Sequence, residues 1–190
     1  MRKDPLLLGI TGAFGSGKSS ASVFFATRGF TKIRLSDYLE KEVRKVESGT
    51  VTREMLQDMG NKMREEHGSG FLAEKALEHI AKEQLEHVVI DGIRTMGEVE
   101  ALCLNPNFLL LAIVADRAVR FERLEKHPRR EKLTLESFAK LDYRDLGVGE
   151  KDTGLQTGLC IALADVFVEN NGSEKLFEEK LSQYLEGKTE

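Results

Sequence analysis

Five short runs rich in apolar and β-branched residues recur along the chain, at Leu6 to Thr11, Thr31 to Leu35, His87 to Asp91, Phe108 to Ala115 and Asp165 to Glu169. The stretches between them carry helical spacing. In the clearest of these, Thr52 to His67, Met55, Leu56, Met59 and Met63 return on one face, with Thr52 as a capping residue and Gly68 as a stop. Methionines in such a stripe are core filler. Strand and helix in alternation predict an α/β domain: a parallel sheet with helices on both faces, right-handed crossovers and chemistry at the carboxyl ends of the strands. Polar residues gather at that rim, as Ser36-Asp37 after the second run, Asp91 at the third and Asn170-Asn171-Gly172 after the fifth. From about 125 to 158 the apolar pattern thins, while charge and glycine rise through Arg129-Arg130-Glu131-Lys132 and Gly147-Val148-Gly149. A long polar connection inside a compact domain predicts a lid.

The first apolar run leads straight into Gly12-Ala13-Phe14-Gly15-Ser16-Gly17-Lys18-Ser19, with Ser20 continuing into a helix. This is a complete phosphate-binding loop (P-loop, Walker A). Its glycines let successive backbone N–H groups turn toward phosphate oxygens, and the helix N-terminus behind them adds a positive dipole end. Lys18 is expected to reach the β- and γ-phosphates of ATP, and the Ser19 hydroxyl to coordinate Mg²⁺. The loop in this context predicts the P-loop NTPase fold, a five-stranded parallel sheet of order 2-3-1-4-5 with a lid.

Composition narrows the partners. A chain of 190 residues with 41% hydrophobic content builds one domain with a full core, taken as 1–190. The formal charge of −4 argues against nucleic acid as a partner. Cys103 and Cys160 stand far apart and read as buried thiols of a reducing cytoplasm. The six-residue run at Leu6 is too short for export or membrane insertion, so a cytoplasmic location without a membrane partner is expected. The four histidines show no ligand spacing.

The third run ends in Asp91, where a carboxylate can hold Mg²⁺ or its waters, and Arg94 follows with a planar fork suited to phosphate. Asp91-Gly92-Ile93-Arg94 resembles the D-G-x-P-R signature of nucleoside monophosphate kinases without its proline. In that family the aspartate supports Mg²⁺ and the arginine grips the acceptor phosphate. The segment from Ala164 to Ser173 resembles the A-D-x-x-x-x-N-x-G-[ST] stretch of dephospho-coenzyme A kinases, which implies that Asn171 borders adenine. Arg120 to Leu124 resembles the helix before the lid in both groups, which implies that Arg123 stacks on the base of ATP. Over Leu7 to Ser182 the chain is most similar to kinase-like P-loop proteins, some of them found beside deoxycytidylate deaminase-like domains. The deaminase signature itself is absent from the sequence. Leu35 to Glu40 resembles the T-G-D-x-x-R stretch of the nucleoside monophosphate kinases, with Glu40 in place of the acceptor-binding arginine. Lys41, Arg44, Arg53 or Arg64 can take over that task.

The expected activity is therefore ATP- and Mg²⁺-dependent phosphoryl transfer to a small nucleotide-like acceptor, a nucleoside monophosphate or dephospho-coenzyme A. Asp37 is expected to orient the acceptor or act as general base, its competing role being an N-cap for a helix beginning at Tyr38. Arg129 and Arg130 are expected to clamp phosphates from the lid. The alternative is a regulatory module that binds ATP or a deoxynucleotide with little turnover. No oligomeric state or partner protein follows from the sequence.

Overall fold

The computed structural model describes residues 5–126 and 132–186. Parallel strands β1 (Leu6–Thr11), β2 (Thr31–Arg34), β3 (His87–Asp91), β4 (Phe108–Val114) and β5 (Val166–Glu169) form one sheet of order β2-β3-β1-β4-β5. This is the predicted order. β1 lies at the centre, pairing Leu6 with His87 on one side and Leu7 with Phe108 on the other. The helices are α1 (Lys18–Ala26), α2 (Ser36–Val46), α3 (Arg53–His67), α4 (Phe71–Glu83), α5 (Met96–Cys103), α6 (Arg117–Lys126), α7 (Leu135–Leu146), α8 (Thr157–Ala162) and α9 (Glu174–Glu186).

Strand side chains alternate between faces, so each strand feeds two cores. Leu7, Val88, Ile90 and Leu110 join residues of α2, α3, α4, α5 and α8. Leu8, Ile10, Val89, Leu111 and Ile113 join α1 and α9 on the opposite face. Met55, Met59 and Met63 pack against the first of these cores, as their spacing predicts. A third, smaller cluster joins Leu133 and, from α7, Phe138 and Leu141 to Phe14, Phe121 and Leu124. It fastens α7 beside the P-loop.

Local chemistry sets the helix ends. The Thr52 hydroxyl accepts from Met55 N at 3.2 Å at the start of α3, a contact of a kind worth about 1 kcal/mol. Thr95 and Glu98 form a capping box on α5, and Thr134 and Ser137 one on α7.

One alternative, the Asp37 cap, and one expectation, a buried Cys103, fail here. Helix α2 begins at Ser36, and Asp37 makes no cap: its carboxylate takes the guanidinium of Arg34. A cap oxygen must face the first free N–H groups, and the stronger pull of a cation three residues back turns it away. Cys160 is buried, its thiol pushed up to about 12 by burial, but Cys103 is exposed at the end of α5. That helix turns Leu102 and Val99 into the core and leaves its last residue outward.

Candidate active site

The P-loop is threaded through a space with no room for side chains at two of its glycines. A Cβ on Gly12, at φ +144°, would collide with the Ile113 carbonyl, and one on Gly17, at φ +104°, with the Asn170 amide. Asn170 donates to Ser16 O at 2.9 Å, and Arg120 donates to Phe14 O at 2.8 Å. The sequence places Asn170 at the rim and Arg120 in the helix before the lid but gives neither this role. Asn171, expected to border adenine, accepts from Asp116 N at 2.8 Å and donates to Glu169 at 3.1 Å, tying the end of β4 to the end of β5.

Lys18 opens α1 and turns its ammonium back onto the carbonyls of Gly12 and Ala13. Burial pushes its pKa down to about 7, aided by the positive charges of Arg94 and Arg53, while Asp145 and Asp91 pull the other way. A polyphosphate would supply the countercharge this lysine lacks. Above it opens a cavity of about 350 Å³. The loop forms its floor with Phe14, Lys18, Ser19 and Ser20. The rim of β3 contributes Asp91 and Arg94, the β2–α2 junction Arg34 and Ser36, α3 Arg53, and α6 Arg123.

Asp91 is nearly sealed from solvent, accepts from the Ser22 hydroxyl at 3.1 Å and lies 3.8 Å from the Lys32 ammonium. Asp91 and Ser19 line the same cavity. Hard oxygen donors of this kind, beside a floor of backbone amides, fit Mg²⁺ with a triphosphate. Ser16 also leaves a buried hydroxyl with no hydrogen-bond partner among the described residues.

On the other side of the cavity, two guanidiniums converge on one buried carboxylate. Asp145, near the end of α7, pairs with Arg94 and lies 3.4 Å from Arg53. Burial pushes its carboxyl up, but Arg94, Arg53 and Lys18 outweigh burial and hold it below the usual carboxylate range. The Arg53 guanidinium also lies over the Phe14 ring, 4.6 Å from its centroid. The Arg94 backbone is fixed on both sides, donating to Glu98 at 2.7 Å and accepting from Gln156 N at 2.7 Å.

Of the cations considered as replacements at Glu40, Arg53 reaches the cavity. Arg44 donates to Glu40 itself at 2.8 Å, Arg64 is buried against Thr153 O at 2.9 Å, and Lys41 is exposed on α2. Arg123 lines the cavity, 3.4 Å from the Asn170 side-chain oxygen. Asp37 does not line it; Arg34, to which it is paired, does. Arg129 and Arg130 lie outside the described residues. Among the described residues no helix is long and apolar enough to cross a membrane.

No family model matches the chain. Its sequence is 32% identical over 181 residues to a UPF0200 protein of Sulfurisphaera tokodaii, covering 94% of this chain and 95% of the relative. Among solved structures, TT1252 from Thermus thermophilus superposes with a TM-score of 0.66 at 20% identity, covering 99% of this chain and all of that one. Shikimate kinase from Acinetobacter baumannii, solved with shikimate, superposes with a TM-score of 0.60 at 14% identity over 98% of this chain and 96% of its own. The fold is that of the P-loop kinases.

Proposed function

The chain belongs to the UPF0200 family, and we propose that it transfers the γ-phosphoryl group of ATP, with Mg²⁺, to a small nucleotide-like acceptor. The observation that carries this reading is the shared cavity: Lys18 and Ser19 on its floor, Asp91 at the third strand's rim and Arg94 with Arg53 opposite. Catalysis of phosphoryl transfer is mainly positioning and charge stabilisation. Lys18 meets the β- and γ-phosphates, the loop amides hold the triphosphate, and Ser19 and Asp91 hold Mg²⁺, which neutralises phosphate oxygens when bound. Arg94 and Arg53 grip an anionic group of the acceptor, and Arg123 flanks the base of ATP. The described part of the expected lid, residues 132–158 with α7, covers the site and excludes water from it. Asp37 acts on the acceptor through Arg34.

Labelled ATP offered with ribo- and deoxynucleoside monophosphates, dephospho-coenzyme A and neutral nucleosides tests the reading. Phosphate-bearing acceptors should be phosphorylated fastest, with AMP a poor one because Glu40 stands where the nucleoside monophosphate kinases have their acceptor-binding arginine. Preference for a neutral nucleoside would overturn the acceptor assignment. Tight ATP binding with no transfer to any of them would favour the regulatory module, a reading supported by the pairing of Arg94 with Asp145.

Asp91→Asn should raise the Mg²⁺ concentration needed for half-maximal turnover by about tenfold, the factor expected for about 1.4 kcal/mol lost at a metal ligand. Midpoints of thermal unfolding should move far less than the Mg²⁺ curve. An unchanged Mg²⁺ curve would make Asp91 a structural partner of Ser22 and Lys32.

A further inference from the structure

The face of α7 turned to the body of the protein carries two carboxylates three residues apart, and both are fully buried. Each holds an arginine that reaches the site. Asp142 takes the guanidinium of Arg120, whose Nη1 also reaches Phe14 O in the P-loop. Asp145 takes Arg94 and Arg53. These arginines arise far apart, one beyond the end of β3 and one in the first turn of α3, and Asp145 is where they meet.

Arg94 and Arg53 line the cavity; Asp145 does not. Its carboxylate therefore stands behind the guanidiniums and leaves their other edges to the site. One of its oxygens serves both arginines, and the other has no hydrogen-bond partner among the described residues. A buried carboxylate costs several kcal/mol that its ion pairs only partly return, and an apolar residue would pack as well. What an apolar residue cannot do is hold two long, flexible cations in a single geometry and cancel one of their charges.

We infer that Asp145 is a positioning residue for the acceptor, holding Arg53 and Arg94 together as one fork at the cavity wall. The inference rests on the proposed function for the acceptor itself, but the ordering of the fork stands apart from it. Because Asp145 belongs to α7, the fork is set only while α7 is docked through Phe138, Leu141 and Phe14. Acceptor grip and cover of the site are thereby coupled.

The test has two arms. In the first, no acceptor is present, and arginine side-chain ¹⁵N–¹H spectra are recorded for the parent and for Asp145→Asn, with Arg53→Lys and Arg94→Lys for assignment. The signals of Arg53 and Arg94 should be resolved in the parent and collapse to the solvent-averaged position in Asp145→Asn. Signals that keep their positions would overturn the inference. In the second arm, dCMP, AMP and dephospho-coenzyme A serve as acceptors. Asp145→Asn should raise acceptor KM about tenfold or more, the loss expected for one or two charge-assisted contacts, and move ATP KM by less than about twofold.

Asp145→Asn should add less in an Arg94→Ala background than it does alone, because it acts in part through that residue and in part through Arg53. Equal weakening of ATP and acceptor, or full additivity with Arg94→Ala, would overturn it. Asp145→Glu keeps the charge but displaces it by one methylene, so it should also raise acceptor KM, whereas a carboxylate that only balances charge would tolerate the change. It carries the test if Asp145→Asn does not fold. If the parent phosphorylates none of the three, the proposed function fails while the spectra still decide the fork.

Discussion

Lys18→Ala should abolish most turnover without weakening the fold: a loss on the order of 10² to 10³ in rate, as for removal of one strong donor aimed at developing charge. The ammonium donates to the loop carbonyls of Gly12 and Ala13, and the fold loses little when it is removed. Its linkage to stability has a definite sign. A lysine lowered from its ordinary 10.5 to about 7 in the folded protein is protonated more readily by the unfolded chain. The penalty on the folded state therefore grows as pH falls through that interval and is complete below about 7. Alanine removes it, so at pH 7 the variant should melt no lower than the parent. Turnover and differential scanning calorimetry on the same samples check both halves. Undiminished activity in the folded variant would sink the assignment of Lys18, and a large fall in melting temperature would sink the account of its burial.

The second large effect is on stability. Asp142→Ala should destabilise the protein by about 3 to 5 kcal/mol, because it leaves the guanidinium of Arg120 buried without its countercharge. For a chain of this size that is a fall in melting temperature of roughly 6 to 20 °C. The double change Arg120→Met with Asp142→Leu should recover most of it, since a buried ion pair exchanged for apolar side chains of similar volume is often neutral. The recovered protein should still bind ATP less tightly than the parent, having lost the contact from Arg120 to Phe14 O. Equal stability of the single and double variants would show that the Arg120–Asp142 pair is not what the fold depends on. Denaturant unfolding monitored by circular dichroism is the measurement.

The sheet was legible because its signals are local. Two of the five strands, β1 and β3, match their apolar runs at both ends, and the others differ by a single residue at one end. The P-loop, Asp91 and Arg94 were legible for the same reason: a strand, a turn and a polar residue at its end announce themselves within a few positions. What holds them was not. Arg120 sits among Asp116 and Glu122, a mixture that reads as a solvated face, and its partner lies 22 residues away on α7. Asp145 looked like one more polar residue of a lid. Asn170 and Asn171 differ by one position at the end of β5, and in extended chain one position sends the side chain to the opposite side. Choosing between them required knowing which side the P-loop occupies. That Asp37 pairs with Arg34 was not legible either, because the contact depends on side-chain geometry that spacing does not encode.

The clasp of Asn170 on Ser16 spans 154 residues of sequence. During synthesis the phosphate loop leaves the ribosome before either strand that flanks β1, because His87 and Phe108 follow it. The loop has no clasp until Asn170 emerges. Contacts this distant in sequence are late and slow to form. From the emergence of the phosphate loop until that of Asn170 the nascent chain thus carries a loop without its clasp, which can be set only once all five strands of the sheet are out.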